Sequence, residues 1–238
     1  MPMSLDLAGI TLDVVRKHIK NVHLSVYPPI GKVRISAPVR MSDDAIRLFA
    51  ISKLGWIRQQ QKKLRGQERE TPREYRDRES HYIWGERYLL QVIEEEKAPR
   101  VELKHRRMIL RVRAGTSDTT RQTLVAQWFR EQIKAAMPRL IKKWEPKVGV
   151  KVERVFVQRM KTRWGSSNSH TGSIRLNTDL AKKPVEWLEY IFVHELVHLR
   201  ERHHGQRFTA LMDRLMPQWR FYKDELNRSA LGHETWTY

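Results

Sequence analysis

The pattern of hydrophobic and polar positions predicts short strands in the N-terminal third of the chain. Apolar and polar residues alternate over residues 23–27 and 32–37, and the Pro28-Pro29-Ile30-Gly31 segment between them is typical of a turn. These two segments are therefore predicted to form a hairpin. Residues 82–92 and 107–112 resemble further antiparallel strands, and no internal repeat is apparent.

Helical patterns and two more strand patterns fill the rest of the chain. Ser42, followed by two aspartates, predicts the start of a helix that runs through Ile57. A long helix is expected from about residue 119 to 144, and another begins close to Pro184, since proline suits the first turn. Two amphipathic helices should follow it. Strand patterns precede the Pro184 helix at residues 152–159 and 173–177.

Composition and charge narrow the classes of protein to which the chain can belong. It has no cysteine, which excludes disulfides, thiolate metal sites and cysteine nucleophiles. It has neither a secretory signal nor an apolar run long enough for a bilayer, so we expect a soluble cytoplasmic protein that does not bind membranes. Lys and Arg exceed Asp and Glu by 46 to 27, a net charge of +19 that favours polyanionic partners such as nucleic acid or nucleotides. Alternatively, the positive charge only favours solubility and reflects no specific partner.

The run His194-Glu195-Leu196-Val197-His198 carries the strongest chemical signal. Residues four apart share one helix face, so the two imidazoles can bind one metal ion, while the glutamate is placed to handle a metal-activated water. The flanking residues are apolar on nearly all sides, which predicts a buried helix. Buried histidines without partners would be costly, and a metal removes that cost.

His204 is the expected third ligand, because it follows His198 by the six residues that separate the last two histidines in H-E-x-x-H-x-x-G-x-x-H sites. We expect His203 to adopt a positive φ in the turn that ends the helix, which would direct His204 back towards the metal. The alternatives are His203 itself, or a downstream carboxylate from Asp213 or Glu225.

Three histidines leave a fourth position open on a tetrahedral Zn²⁺ ion, which is typical of catalytic sites. Zinc suits histidine ligation and would lower the pKa of a water molecule to about 7. Glu195 would then act as the general base.

Strands before a metal-binding helix, with helices after it, indicate an α+β fold with a zincin-like catalytic domain. We place this domain at residues 119–238, after an antiparallel β-rich accessory region with one helix at residues 1–118. A sheet edge beside the metal could bind an extended peptide, and Ser173–Asn177 is the candidate edge, although it could equally be an interior strand.

The order of these motifs resembles the YgjP-like family of zinc metallopeptidases. The resemblance covers most of the chain and rests on the segments Arg159–Ser167, Gly172–Asn177, Tyr190–Leu199, His204-Gly205 with Phe208, Ala37-Pro38 and Trp56-Ile57. The family usually has cysteine where this chain has Ser167, and asparagine where it has His203.

The resemblance implies a zinc hydrolase, and the family name indicates a metallopeptidase. It also implies a second activity, hydrolysis of uridine triphosphate to the monophosphate and pyrophosphate. Arg163 and Arg175, with Arg159 and Lys161, are candidates to bind phosphate, since guanidinium groups match its geometry. A solvated strand face is the alternative for these residues. A further hypothesis is a nucleic-acid-binding protein in which the metal only stabilises the fold.

Overall fold

The computed structural model describes residues 3–27, 31–65, 73–160 and 163–228. The chain divides into two compact units, the first up to residue 65 of the described chain and the second from residue 73. Each unit has its own hydrophobic core. No helix in these described ranges is long and apolar enough to cross a membrane.

The first unit is a four-stranded sheet followed by two helices. Its elements are β1 (Met3–Leu7), β2 (Ile10–Lys17), β3 (His23–Tyr27), β4 (Lys32–Pro38), α1 (Asp43–Ser52) and α2 (Leu54–Arg65). The strand order is β1-β2-β4-β3, with β2 and β4 parallel and the outer pairs antiparallel. The expected hairpin of β3 and β4 is confirmed, while Pro28, Pro29 and Ile30 of its turn lie outside the described residues.

The helical part of this unit begins where the sequence predicts. The Ser42 hydroxyl accepts a hydrogen bond from the Ala45 backbone N–H at 3.2 Å, as an N-cap does. The prediction of one continuous helix is wrong, because the helix ends at Ser52 and a second begins at Leu54. Ile46, Ala50 and Ile57 are fully buried in the core of the unit.

The second unit opens with another four-stranded sheet: β5 (Ser80–Ile83), β6 (Glu86–Glu94), β7 (Arg100–Lys104) and β8 (Arg107–Val112). Its strand order is β5-β6-β8-β7, the same topology as in the first unit. The expectation that residues 82–92 and 107–112 run antiparallel is wrong. The unpredicted strand β7 forms the antiparallel hairpin with β8, which makes β8 run parallel to β6.

The long helix α3 (Asp118–Val148) packs beside this sheet. It buries one residue every three or four positions: Val125, Phe129, Ile133, Met137, Leu140, Trp144 and Val148. These residues share one core with Leu90 of β6 and Leu110 of β8. Sheet and helix therefore belong to one unit. The boundary that we expected between the accessory region and the catalytic domain, at residue 118, falls inside this unit.

The remaining elements position the candidate site. They are β9 (Arg154–Gln158), β10 (Gly165–Asn168), β11 (Ser173–Asn177), a 3₁₀ helix (Thr178–Lys182), α4 (Val185–His198), α5 (Gln206–Leu215) and α6 (Trp219–Arg228). The three strands form a sheet in the order β10-β11-β9. β11 is thus an interior strand, and the edge beside α4 is β10. The mixed α+β class is confirmed.

Candidate metal centre

Helix α4 carries the first two histidines. It starts after Pro184, close to the predicted position, and has buried residues on almost every side. Tertiary packing therefore holds the helix rigidly, which suits a site that needs fixed side chains. His194 and His198, one turn apart on this helix, place their ring centroids 4.7 Å from each other.

His204 reaches the same point from the connection between α4 and α5. Helix α4 ends at His198, and the chain turns so that the Gly205 backbone N–H donates to the carbonyl oxygen of His203 at 2.8 Å. The expectation of a positive φ at His203 is wrong, since this residue is not among those with left-handed backbone. The chain instead reverses in the tight turn over His203–Gly205 that this hydrogen bond closes. His203 is exposed, and its ring is not part of the histidine cluster.

The three Nε2 atoms of His194, His198 and His204 form a nearly equilateral triangle. The pairs are separated by 3.0 Å (His198–His204), 3.2 Å (His194–His198) and 3.2 Å (His194–His204). Each Nε2 offers one lone pair or one hydrogen, so three nitrogens at these distances cannot satisfy each other by hydrogen bonding. Zn–N bonds of about 2.0–2.1 Å in a tetrahedral site separate nitrogen ligands by about 3.3–3.4 Å. The triangle therefore fits a small tetrahedral cation.

The protonation states of these rings also suit a metal. Burial, with the neighbouring His198 and His204, lowers the pKa of His194 to about 3, and burial also lowers the pKa of His198. Neutral imidazole is the form that binds metals. Nδ1 of His198 lies 2.9 Å from the backbone carbonyl oxygen of Glu201. If Nδ1 carries the ring hydrogen and donates it to this oxygen, Nε2 keeps its lone pair for a metal. Nδ1 of His194 is buried without a hydrogen-bond partner among the described residues.

Glu195 points from the same helix towards β10. It is only 7% exposed, and this burial raises the pKa of its carboxyl to about 7, while the Ser167 hydrogen bond and the Arg163 charge act in the opposite direction. The Ser167 hydroxyl donates to Glu195 Oε2 at 2.9 Å. A Cβ atom at Gly165 would lie 2.8 Å from Glu195 Cγ and 2.9 Å from Oε1, so only glycine allows β10 to approach this closely.

A cleft of about 840 Å³ opens over the histidines and Glu195. Both predicted arginines line it: Arg163 precedes β10, and Arg175 lies on β11 with its guanidinium 5.4 Å from the Phe156 ring centroid. Arg202 also lines the cleft and donates to the Ser169 hydroxyl at 3.1 Å. Among the described lining residues, Glu195 is the only acid. Lys161 lies outside the described residues, and Arg159 is not among the lining residues.

The alternative carboxylate ligands are engaged elsewhere. Asp213 accepts hydrogen bonds from the Trp219 indole at 2.7 Å and from Arg220. Glu225 accepts one from Arg228 at 3.0 Å. Neither residue belongs to the histidine cluster.

Sequence reasoning missed several residues that shape the centre. Phe208 packs against all three imidazoles, with centroid distances of 5.0, 4.6 and 4.7 Å to His194, His198 and His204. Its position in the first turn of the amphipathic helix α5, four residues after His204, was the available signal. The R-W-G-S block was visible as a motif, but nothing in its spacing indicates that Gly165 and Ser167 contact Glu195.

Comparisons with known proteins identify a family model and two partly similar structures. The family model described as YgjP-like, metallopeptidase domain, matches residues 20–229. No curated protein matches the chain. Among solved structures, the metallopeptidase zymogen of Pyrococcus abyssi abylysin is similar over 37% of this chain and 90% of its own, with 20% identity and a TM-score of 0.35. The jannalysin zymogen of Methanocaldococcus jannaschii is similar over 37% and 91%, with 19% identity and a TM-score of 0.34.

Proposed function

This chain belongs to the YgjP-like family of metallopeptidase domains, and from that membership and the geometry of the centre we propose that it is a zinc-dependent metallopeptidase. The observation that carries the proposal is the Nε2 triangle with edges of 3.0–3.2 Å, beside the buried carboxylate of Glu195. His194, His198 and His204 would be the metal ligands.

The donor set supports zinc. Three neutral imidazoles form the ligand group of open tetrahedral zinc sites, and a chain without cysteine offers no thiolate. Bound there, zinc would supply a Lewis acid that polarises the carbonyl under attack and makes a water molecule more acidic.

Glu195 would accept the proton of the attacking water and pass it to the leaving amine. Its carboxyl suits this exchange, because burial holds its pKa near neutrality at about 7. The Ser167 hydroxyl binds one carboxylate oxygen, Oε2, and so fixes the orientation of the group. Gly165 leaves room for the carboxylate between α4 and β10.

Strand β10 would bind the substrate backbone. The Asn177 N–H donates to the Trp164 carbonyl at 2.9 Å, and in an antiparallel ladder the hydrogen-bonded pairs alternate. The backbone N–H and C=O groups of Ser166 and Asn168 therefore hydrogen-bond to β11. Those of Gly165 and Ser167 point away from β11, towards the free edge of the sheet. An extended peptide could add to this edge as a further strand.

The test is cleavage of an unfolded peptide mixture by the zinc-loaded protein. Replacing the base, Glu195→Gln, should reduce turnover by about 10²–10⁴-fold while zinc content stays the same. Glu186→Gln is the matched control, because Glu186 lies exposed on the same helix. Undiminished cleavage by Glu195→Gln would refute Glu195 as the base, and no cleavage by the loaded wild type would refute the peptidase.

A second candidate is a nucleoside triphosphate pyrophosphohydrolase, which the cationic cleft favours. Arg163, Arg175 and Arg202 line the space beside the triangle and could neutralise phosphates. A screen of triphosphates for metal-dependent pyrophosphate release tests it directly. Release from a triphosphate without peptide cleavage would replace the first candidate by the second.

A further inference from the structure

A second cavity adjoins the cleft at the histidines. It has a volume of about 500 Å³, and most of its walls are apolar: Trp164, Tyr190, Ile191, Phe208, Trp219 and Leu226. Lys223 also lines it, with its Nζ 5.6 Å from the Trp219 ring centroid. We call it the aromatic pocket. His194 and His204 line both this pocket and the cleft that contains the arginines, so the two spaces meet at the metal centre.

The walls of the aromatic pocket are already held in place by the fold. Tyr190, Ile191 and Phe208 are at least nine-tenths buried in the core of the second unit. The Trp219 indole N–H donates to Asp213 at 2.7 Å, and the Arg220 guanidinium lies 4.6 Å from the Trp219 ring centroid. The polar atom of this indole is therefore satisfied without a ligand, and the ring offers apolar surface to the cavity.

The cleft that shares His194 and His204 with this pocket is more polar and more strongly cationic. Three arginine side chains line it, with Glu195 as the only acid among the described lining residues. We call it the arginine cleft. A molecule bound at the metal centre would thus meet a mainly apolar cavity and a cationic cleft with three arginines.

We propose that the enzyme selects peptide bonds with a large apolar residue on one side of the scissile bond and an acidic residue on the other. The apolar side chain enters the aromatic pocket, and the acidic one pairs with Arg163, Arg175 or Arg202. This inference rests on the proposed peptidase function and specifies its substrate class. A pocket of this size accommodates a phenylalanine, tyrosine, leucine or methionine side chain.

The test is digestion of a random peptide library by the zinc-loaded protein, with mass-spectrometric identification of the residues beside each cleaved bond. Peptides with the apolar–acidic combination should be cleaved at least about tenfold faster than those with alanine at both positions. The Glu195→Gln protein provides a readout that does not depend on turnover. It should bind an apolar–acidic peptide more tightly than its alanine counterpart, with a change in the fluorescence of Trp164 or Trp219.

A pair of phenylalanine substitutions, one inside the aromatic pocket and one outside it, tests the role of the pocket. Thr209 lines the aromatic pocket from α5, and Thr209→Phe should lower the preference for large apolar residues by about tenfold. Ala210→Phe adds the same ring at an exposed neighbouring position and should keep the preference. Arg175→Gln should weaken the preference for acidic residues and leave the apolar one.

The outcomes separate this inference from the function on which it rests. Peptide cleavage without flanking preference, or with the same preference in Thr209→Phe, overturns the inference and leaves the peptidase. No peptide cleavage at all overturns the peptidase. Triphosphate hydrolysis with a KM that rises in Thr209→Phe would place a nucleobase in the pocket and overturn the inference as well.

Discussion

At the scale of single residues, the three imidazoles depend on a side chain that does not itself bind metal. Phe208 contacts His194, His198 and His204 at once, stacking on His198 with an interplanar angle of 27°. A ring in this position limits the rotation of each imidazole. It therefore keeps the three nitrogens together before a cation arrives.

Phe208→Leu should weaken zinc binding by about tenfold or more, the size of effect seen when groups that orient ligands are lost. Competition with a chromophoric chelator measures the change. Phe221→Leu is the matched control, because Phe221 is 61% exposed in the same unit. Equal zinc affinities for the two variants would contradict a role of Phe208 in holding the rings.

In the proposed mechanism Ser167 acts through Glu195, to which its hydroxyl donates a hydrogen bond, and it is therefore a positioning residue. Ser167→Ala removes the hydrogen bond to Oε2 and should lower kcat by about tenfold with little change in KM or zinc content, since a hydrogen bond to a charged group contributes roughly 1.5–3 kcal/mol. Ser167→Cys keeps a weak donor and should restore part of the rate. An alanine variant with unchanged kcat would show that Glu195 is oriented without this bond.

At the scale of elements, the site depends on the pairing of α4 with the edge strand β10. The sequence predicted the helix well, because its apolar run and its proline are local signals. It did not identify the edge strand, because β10 contains only Gly165, Ser166, Ser167 and Asn168, and these residues have little strand propensity. Packing against Glu195 and pairing with β11 hold this strand in place, and neither contact can be read from local sequence.

The outward backbone groups of β10 lead to a prediction about substrates. Methylation of a peptide's backbone nitrogen next to the scissile bond removes the N–H that would pair with this edge. Binding to the Glu195→Gln protein should weaken by about threefold to tenfold, the value of one lost hydrogen bond. The same peptide methylated far from the scissile bond is the control, and equal affinities would contradict backbone pairing on β10.

At the scale of the whole molecule, two sheets share one topology that the sequence did not reveal. Parallel pairing of β2 with β4, and of β6 with β8, joins strands that are separated by a hairpin strand. Alternation identifies strands but not their partners. It therefore predicted the β3–β4 hairpin correctly, but it took the strands at residues 82–92 and 107–112 as antiparallel, although β6 and β8 are parallel. The histidine site was predictable to a far greater degree, because two of its histidines lie within one helical turn.

The stability of the second unit should depend on pH through His81. This ring is 1% exposed and lies 5.5 Å from the Tyr75 ring, and burial, with Arg73 and Lys182, lowers its pKa from 6.5 to about 3. Between these two pH values the unfolded chain binds a proton that the folded chain does not. The free energy of unfolding therefore falls as the pH falls, by up to about 1.4 kcal/mol per pH unit.

Replacing the titrating ring, His81→Phe, should reduce the slope of this dependence between pH 6.5 and 3. A smaller dependence should remain, because burial also lowers the pKa values of His194 and His198. Denaturant unfolding of the metal-free protein, followed by tryptophan fluorescence, measures the difference from wild type. His18→Phe controls for the loss of an exposed imidazole. Parallel pH profiles for wild type and His81→Phe would refute a buried neutral His81.

Zinc content tests the central claim most directly. Protein loaded with zinc and dialysed against metal-free buffer should retain about one ion per chain in the wild type and in His203→Ala, because three ligand histidines remain in both. His204→Ala should lose most of its zinc, since the triangle then lacks one nitrogen. Zinc absent from the wild type, or fully retained by His204→Ala, would contradict a metal centre built by His194, His198 and His204.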